Sequence, residues 1–300
     1  MINIKKYAAI DIGSNAVRLL IANISENAGV LSFKKNTLIR VPLRLGDDAF
    51  ISQLISDKKS NDLIKTMVAF KNLMDVYKVT DYMACATSAL REAKNGPLLV
   101  SKIKEIANLD LEIVTGQKEA QILYSSHIEE TLDAKKNYLY IDVGGGSTEL
   151  SVFIQGKLKS SKSFDLGTIR ILDNQDKEET WENLKNWIRI ETKGLLNLQG
   201  IGTGGNINKL FRLSQEKDGH PLSYLKLKTQ YTYLNSFSLK DRINILGLNQ
   251  DRADVIIPAC EIFLTVMKWA NVKQLHVPKV GLVDGVIQLL IEKNNSSKLI

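Results

Sequence analysis

Two stretches of this chain repeat one arrangement. "AAIDIGSNAVRLLIA" (8–22) and "YIDVGGGSTELSVFI" (140–154) each carry a β-type segment into an aspartate, a glycine turn and a second β-type segment. Laid over one another, they match Asp11 with Asp142, Gly13 with Gly144 and Leu19 with Leu150. A duplicated strand-turn-strand unit predicts two similar domains whose glycine turns face each other across a cleft. The chain is long enough for that: 300 residues at 44% hydrophobic content supply apolar side chains for two cores.

Glycine omits the Cβ and permits positive φ, so several N–H groups can converge on one anion. Gly144, Gly145, Gly146 and Ser147, flanked by Asp142 and Glu149, suit a phosphate in that way. A tight hairpin that uses glycine for shape alone is the alternative. A third cluster, "GIGTGGN" (200–206), runs from a short strand into a helix, where N–H donors and the positive helix end coincide. Gly200, Gly202 and Gly205 satisfy G-x-G-x-x-G, but no strand ending in an acid follows at the distance a dinucleotide ribose requires. Phosphate binding through Gly202, Gly204 and Gly205 and plain helix-opening geometry both remain open.

A net charge of +7 and a pI near 9.1 favour anionic partners. The lysines are spread along the chain with no basic stripe interleaved with aromatics, which argues against nucleic acid. No long uncharged apolar run occurs, and Asp11 breaks the N-terminal one, so neither a membrane span nor a signal peptide is expected and a cytoplasmic location is. Cys85 and Cys260 lack zinc-ligand spacing and read as buried free thiols. His127, His220 and His276 are scattered, giving little support to a histidine metal site or a Ser/His/Asp triad.

Strands are predicted at 7–12, 17–24, 30–43, 80–86 and 111–114, with amphipathic helices over 61–77 and 98–108. "VTGQKEAQ" opens a helix over 117–130 with Thr115 as N-cap. Strands recur at 138–143, 147–155, 157–165 and 198–202, with a helix at 179–193. The remainder reads as largely helical, including 251–270, kinked or broken at Pro258, a short strand in "VKQLHVP" and a final helix over 280–292. "SQEKDGHPLSY" (214–224) is the long loop, and "KNNSSKLI" should fray.

Together, "AAIDIGSNAVRLLIA", "ATSALREAKN", "IVTGQKEAQILY", "YIDVGGGSTEL" and "DRADVIIP" resemble, in order, five motifs of the exopolyphosphatase and guanosine pentaphosphate phosphohydrolase (Ppx/GppA) family. That family belongs to the actin, sugar-kinase and Hsp70-like superfamily. The resemblance spans nearly the whole chain. It implies an α/β architecture of two ribonuclease-H-like domains facing across a cleft, over 1–124 and 125–279, with 280–300 packing back on the first. It implies hydrolysis of terminal phosphoanhydride bonds of polyphosphate, in short chains, or of guanosine pentaphosphate (pppGpp), with Mg2+, in a homodimer.

By motif position Glu119 falls on the glutamate that orients and deprotonates the attacking water, and Arg91 on the arginine that holds substrate phosphate. Asp142 and Glu149 fall on the carboxylates associated with metal and water, and Gly144, Gly145, Gly146 and Ser147 on the phosphate cradle. Asp11, Gly13, Ser14, Asn15 and Arg18 occupy the first domain's share of that cradle. Each has an ordinary explanation as well. An acid at Glu119 suits a first helical turn, Arg91 fits a surface arginine beside Glu92, Asp142 fits a turn cap, and Glu149 fits a solvent-facing strand position.

The chain departs from the family pattern at Lys118, where an acid is usual, at Val283 and Asp284, where an arginine and a glutamate are commoner, and at "GGNI". A cation at Lys118 would lower the pKa of Glu119 and weaken it as a base, or hold a phosphate. Longer members carry added helical domains, so processive action on long chains is not expected. Two further readings stay open: an ATP-dependent small-molecule kinase of the same superfamily, and a non-catalytic polyphosphate or alarmone binder.

Overall fold

The structure, a computed structural model, describes residues 4–27, 30–126, 133 and 135–296. The chain divides into two compact units, Met1–Ser126 with Gly281–Ile300, and His127–Val280. In the first, β1 (Lys5–Ile12), β2 (Val17–Asn27) and β3 (Val30–Val41) form an antiparallel meander. There follow α1 (Leu45–Ser52), α2 (Asp57–Tyr77), β4 (Asp81–Ala86), α3 (Ser88–Glu92), α4 (Gly96–Ala107), β5 (Glu112–Ile113) and α5 (Gly116–Tyr124). The sheet runs β3-β2-β1-β4-β5, with β4 parallel to β1. β1 lies in the middle and is buried on both faces from Tyr7 to Ile12, which explains its unbroken apolar run up to Asp11.

The second unit repeats the plan with β6 (Asn137–Val143), β7 (Thr148–Ile154) and β8 (Lys157–Phe164) as the meander. It continues through α6 (Thr168–Leu172), α7 (Glu178–Glu191), β9 (Gln199–Thr203), α8 (Gly205–Leu213), β10 (Leu222–Ser223), α9 (Tyr224–Asn235), α10 (Leu239–Asn244), α11 (Gln250–Ala253), α12 (Ile256–Trp269) and β11 (Gln274–His276). Its sheet order is β10-β11-β9-β6-β7-β8, with β9 parallel to β6. Leu139, Ile141, Leu150 and Val152 of the sheet bury against Ile207, Leu210, Ile256, Phe263 and Val266 of the helices. Among the described residues no helix is long and apolar enough to cross a membrane.

Thr115 caps α5, accepting from Lys118 N–H at 3.2 Å. α5 stops at Tyr124, and residues 127–130 of the helix expected there, with His127, lie outside the described residues. The break expected at Pro258 comes just before it, between α11 and α12. Pro258 then sits in the first turn of α12, where a missing N–H costs nothing. The 214–224 loop holds the short strand β10, which pairs with β11. The segment from 293 expected to fray continues as helix to Ser296, and 297–300 lie outside the described residues.

The last helix, α13 (Leu282–Ser296), belongs to the first unit and packs on α5, β1, β2 and β4. It buries Val286, Ile287, Leu290 and Ile291, and Asn294 Nδ2 donates to Asp81 at 2.7 Å. Asp284, one of the departures from the family pattern, is 3% exposed, pairs with Lys35 at 2.7 Å and accepts Gly281 N–H at 2.9 Å. Burial pushes its carboxyl up against the downward pull of Lys35 and those hydrogen bonds. The residue is a helix cap and clamp. One residue on, a Cβ added at Gly285 would lie 1.8 Å from the Ile122 carbonyl oxygen, so the α13–α5 crossing requires glycine. Gly285→Ala is therefore expected to cost about 1–3 kcal/mol by overpacking, read as a lowered Tm in thermal unfolding; an unchanged Tm would show that the helices part freely.

Candidate active site

In the first unit the turn after β1 closes through Gly13 N–H to Ala16 O at 3.2 Å. In the second, Gly144 N–H donates to Ser147 O at 2.9 Å. A Cβ on Gly13 would come within 3.1 Å of Ala16 O, and one on Gly144 within 3.1 Å of Ser147 O. The duplication seen in the sequence is thus a duplication of geometry. Of the two reasons expected for these glycines, the missing Cβ holds and positive φ does not. None of Gly13, Gly144, Gly145 and Gly146 has positive φ, and for Gly13 and Gly144 it is the turn carbonyl close to the missing Cβ that disfavours a side chain.

Register carries the likeness further. Asp11 stands opposite Arg18 on β2 and beside Cys85 on β4; Asp142 stands opposite Glu149 on β7 and beside Thr203 on β9. Residues so aligned share one sheet face. In the first unit the row pairs acid with cation, Arg18 Nη1 donating to Asp11 Oδ2 at 2.7 Å. Burial pushes Asp11 up while Arg18 pulls it down. Cys85 beside it is a free thiol pushed up to about 12, by burial first and then by the charges of Asp11 and Glu112.

In the second unit the row places two acids directly opposite one another, an arrangement that repels unless a cation lies between them. Each carboxylate is fixed from its outer side by a hydroxyl: Thr203 Oγ1 donates to Asp142 Oδ1 at 2.7 Å, and Ser163 Oγ to Glu149 Oε1 at 2.8 Å. Glu149 is 1% exposed, so the solvent-facing reading of that strand position does not hold.

The catalytic candidates come from α3 and α5. Ser14 Oγ lies 2.8 Å from Ser88 Oγ, tying the first glycine turn to the start of α3. Arg91 on α3 donates from Nη1 to Val114 O at 2.9 Å and stands 3.8 Å from Glu119 Oε2. It is therefore anchored at Glu119 rather than lying on the surface beside Glu92. Glu119, one turn into α5, is 8% exposed. Lys118 is directed to Glu112, a pair of half-exposed side chains worth at most about 1 kcal/mol. In this arrangement Lys118 faces Glu112.

The third glycine cluster divides. Gly204 has φ 103° and no room for a Cβ, which would meet Val143 O at 3.0 Å and Asp142 Oδ1 at 3.1 Å, so the start of α8 abuts the Asp142 carboxylate. At Gly202, within β9, the space a Cβ would take is filled by Leu275 and Ile207 side chains. Gly205 opens α8, and its carbonyl accepts from Arg252 Nη1 at 2.6 Å.

Sequence reasoning missed the segments that brace the two turns. Arg44 N–H and Gly46 N–H, at the start of α1, donate to Asn15 O at 3.0 Å and Ser14 O at 2.9 Å. Thr168 N–H and Ile169 N–H of α6 donate to Gly144 O at 3.1 Å and Gly145 O at 2.8 Å, and Arg170 Nε to Gly146 O at 2.6 Å. "LGTIR" (166–170) offers only a lone glycine before a short helix, too weak a signal to mark it.

Two mixed sheets, each an antiparallel meander extended by a parallel strand and each carrying a glycine turn after its first strand, define the actin-like ATPase fold. The chain belongs to the Ppx/GppA phosphatase family, whose model matches residues 24–294, beginning within β2. Among curated relatives, a bifunctional 3-dehydroquinate synthase/phosphatase of Fusobacterium nucleatum is 26% identical over 87% of this chain and 43% of its own length. A putative exopolyphosphatase of Haemophilus influenzae is 24% identical over 97% of this chain and 93% of its own. A guanosine-5'-triphosphate,3'-diphosphate pyrophosphatase of Aeromonas salmonicida is 24% identical over 98% of this chain but 61% of its own length. The chain thus spans about half the length of the first and third relatives and nearly all of the second. The crystal structure of the Aquifex aeolicus family member superposes with a TM-score of 0.75 at 25% identity, covering 97% of this chain and 99% of that one.

Proposed function

We propose that the chain is a metal-assisted phosphohydrolase that removes terminal phosphate from short inorganic polyphosphate or from pppGpp. The observation that carries this reading is the pair of opposed carboxylates, Asp142 and Glu149, beside a turn of three glycines. Its membership in a phosphatase family, and relatives named for exopolyphosphatase and pyrophosphatase activity, support the same chemistry.

The donor set fits Mg2+. Asp142 and Glu149 are hard oxygen donors, and among the described residues no group of three or more His, Cys, Asp or Glu forms a closed cage. Two carboxylates with the remaining positions left to substrate oxygens and water is the arrangement Mg2+ prefers. When bound, the ion would neutralise phosphate charge as it builds in the transition state.

The roles of the chain's own groups follow unit by unit. In the second, the N–H groups of Gly145, Gly146 and Ser147 hold the terminal phosphate, and Gly204 with Gly205 brings the N-terminus of α8 up to Asp142. In the first, the Gly13–Ala16 turn with Ser14 and Asn15 offers a matching set of amides, with Asp11 and Arg18 bracing it, and Arg91 supplies positive charge. Glu119 accepts a proton from water as its oxygen attacks the terminal phosphorus. The bond to the bridging oxygen breaks, and the shortened chain leaves with that oxygen. Little covalent chemistry is needed, since positioning and charge neutralisation do most of the work in phosphoryl transfer.

Phosphate release from short polyphosphate, long polyphosphate, pppGpp and ATP, with and without Mg2+, tests the reading. Magnesium-dependent release into water from short polyphosphate or pppGpp is expected. Binding of these anions without release from any of them would replace the hydrolase with a binding protein, and transfer to an acceptor with no release into water would make it a kinase.

A further inference from the structure

Three consecutive carbonyls of the Gly144–Gly146 turn are each taken by one of three consecutive residues, Thr168, Ile169 and Arg170. In a trans peptide the C=O of one residue and the N–H of the next point in opposite directions. Holding the carbonyls of Gly144, Gly145 and Gly146 against α6 therefore turns the N–H groups of Gly145, Gly146 and Ser147 to the other side together. Among the described residues none of these three N–H groups donates to another backbone carbonyl. Two of the three ties come from the backbone of α6. The third comes from a side chain, Arg170, which is 7% exposed, a burial that an arginine rarely reaches without such a role.

The same contact admits no slack. A Cβ on Gly167 would lie 2.3 Å from Gly145 O and 2.5 Å from Gly146 N, so α6 is pressed against the turn itself. We infer that Arg170 is a positioning residue: through Gly146 O its guanidinium fixes the last peptide of the glycine turn, aiming Ser147 N–H, with those of Gly145 and Gly146, at the bound phosphate. The inference rests on the phosphohydrolase reading for the identity of the anion. Its geometric part, that Arg170 orders three amides into one anion-facing set, concerns binding as well as turnover.

Arg242 supplies a matched control. It is also partly buried in the second unit and also donates to backbone carbonyls, Nε to Leu234 O at 2.8 Å and Nη1 to Ala253 O at 3.2 Å, but it does not touch the glycine turn. Arg170→Met, Arg170→Lys and Arg242→Met would be compared in folded protein for phosphate release, with kcat and KM resolved, and for binding of pyrophosphate by calorimetry. Arg170→Met is expected to lower kcat/KM at least tenfold and weaken pyrophosphate binding about tenfold, with partial recovery in Arg170→Lys, whose ammonium can still reach Gly146 O. Arg242→Met should lower Tm while leaving kcat/KM of the folded fraction within about twofold. Equal losses of kcat/KM in Arg170→Met and Arg242→Met, or full activity in Arg170→Met, would overturn the positioning role. If the unsubstituted protein releases no phosphate at all, the hydrolase reading fails by itself, and the pyrophosphate arm alone decides: unchanged affinity in Arg170→Met overturns the inference, and a tenfold loss sustains it.

Discussion

Glu119→Gln is expected to lower kcat for phosphate release by a factor of about 10²–10⁴, the range a positioned general base contributes, while substrate affinity changes little. The substitution keeps the side-chain shape and removes only the ability to take a proton. Glu119 is nearly buried, one turn into a helix whose N-cap, Thr115, is already satisfied, and its charged neighbour Arg91 is also held by Val114 O, so the helix and its anchor survive the substitution. Loss of a nearly buried carboxylate near a helix N-terminus should cost at most about 2 kcal/mol. A binding isotherm for non-turned-over pyrophosphate beside a steady-state rate separates the two effects. Retention of more than a tenth of the rate would remove Glu119 from the chemistry and leave Arg91 as its anchor without a function.

The second large effect is one of sign. Asp142 faces Glu149 and Asp11 faces Arg18 at equivalent places in two equivalent sheets, so the same kind of substitution should do opposite things. Glu149→Gln removes a like-charge opposition, and in EDTA the protein should become more stable by about 0.2–1 kcal/mol. The amide oxygen can still accept from Ser163. The same variant should lose the rise in Tm on adding Mg2+ and most of its activity. Asp11→Asn breaks an ion pair at a 2.7 Å contact and should destabilise the protein with or without Mg2+. Thermal unfolding of the two variants in EDTA and in Mg2+ gives four numbers. A destabilised Glu149→Gln in EDTA, or an undiminished Mg2+ response, would argue that no cation sits between the acids.

What the sequence made legible was whatever is local. A strand, an aspartate, a glycine turn and a second strand lie within about 15 residues of one another, and their repetition stood out without any knowledge of register. Thr115 as N-cap was legible for the same reason, since a cap and the N–H it binds are three residues apart. The pairing of Thr203 with Asp142 was not, because it depends on β9 lying parallel to β6 at a separation of 61 positions in sequence. Nor was Arg170, whose partner is a carbonyl 24 residues away that any residue type could have supplied. The glycines show how one of two expected causes can carry an expectation alone. They were read as omitting a Cβ and permitting positive φ, and only the first holds at Gly13 and Gly144, where a Cβ would crowd the turn carbonyl; Gly204 alone among the glycines of the turns and the α8 junction has positive φ. Lys118 read as a neighbour of Glu119 from its number, yet helix geometry turns it to Glu112.

The placement of α13 has a consequence for how such a chain is made. The second unit is one uninterrupted stretch, so everything it packs against has been synthesised by the time its own last strand is. The first unit is not. The strands β1, β2 and β4 precede the inserted unit and the helix that covers them follows it, so its Gly285 must still find Ile122 after that unit has been made. Until then β1, buried from Tyr7 to Ile12 in the finished unit, has one face without its final partner, over the whole time needed to translate the inserted unit. A folding chain of this design is finished from the middle outward, and the interval before its closing step is when chaperone protection, or aggregation, would have the longest opportunity.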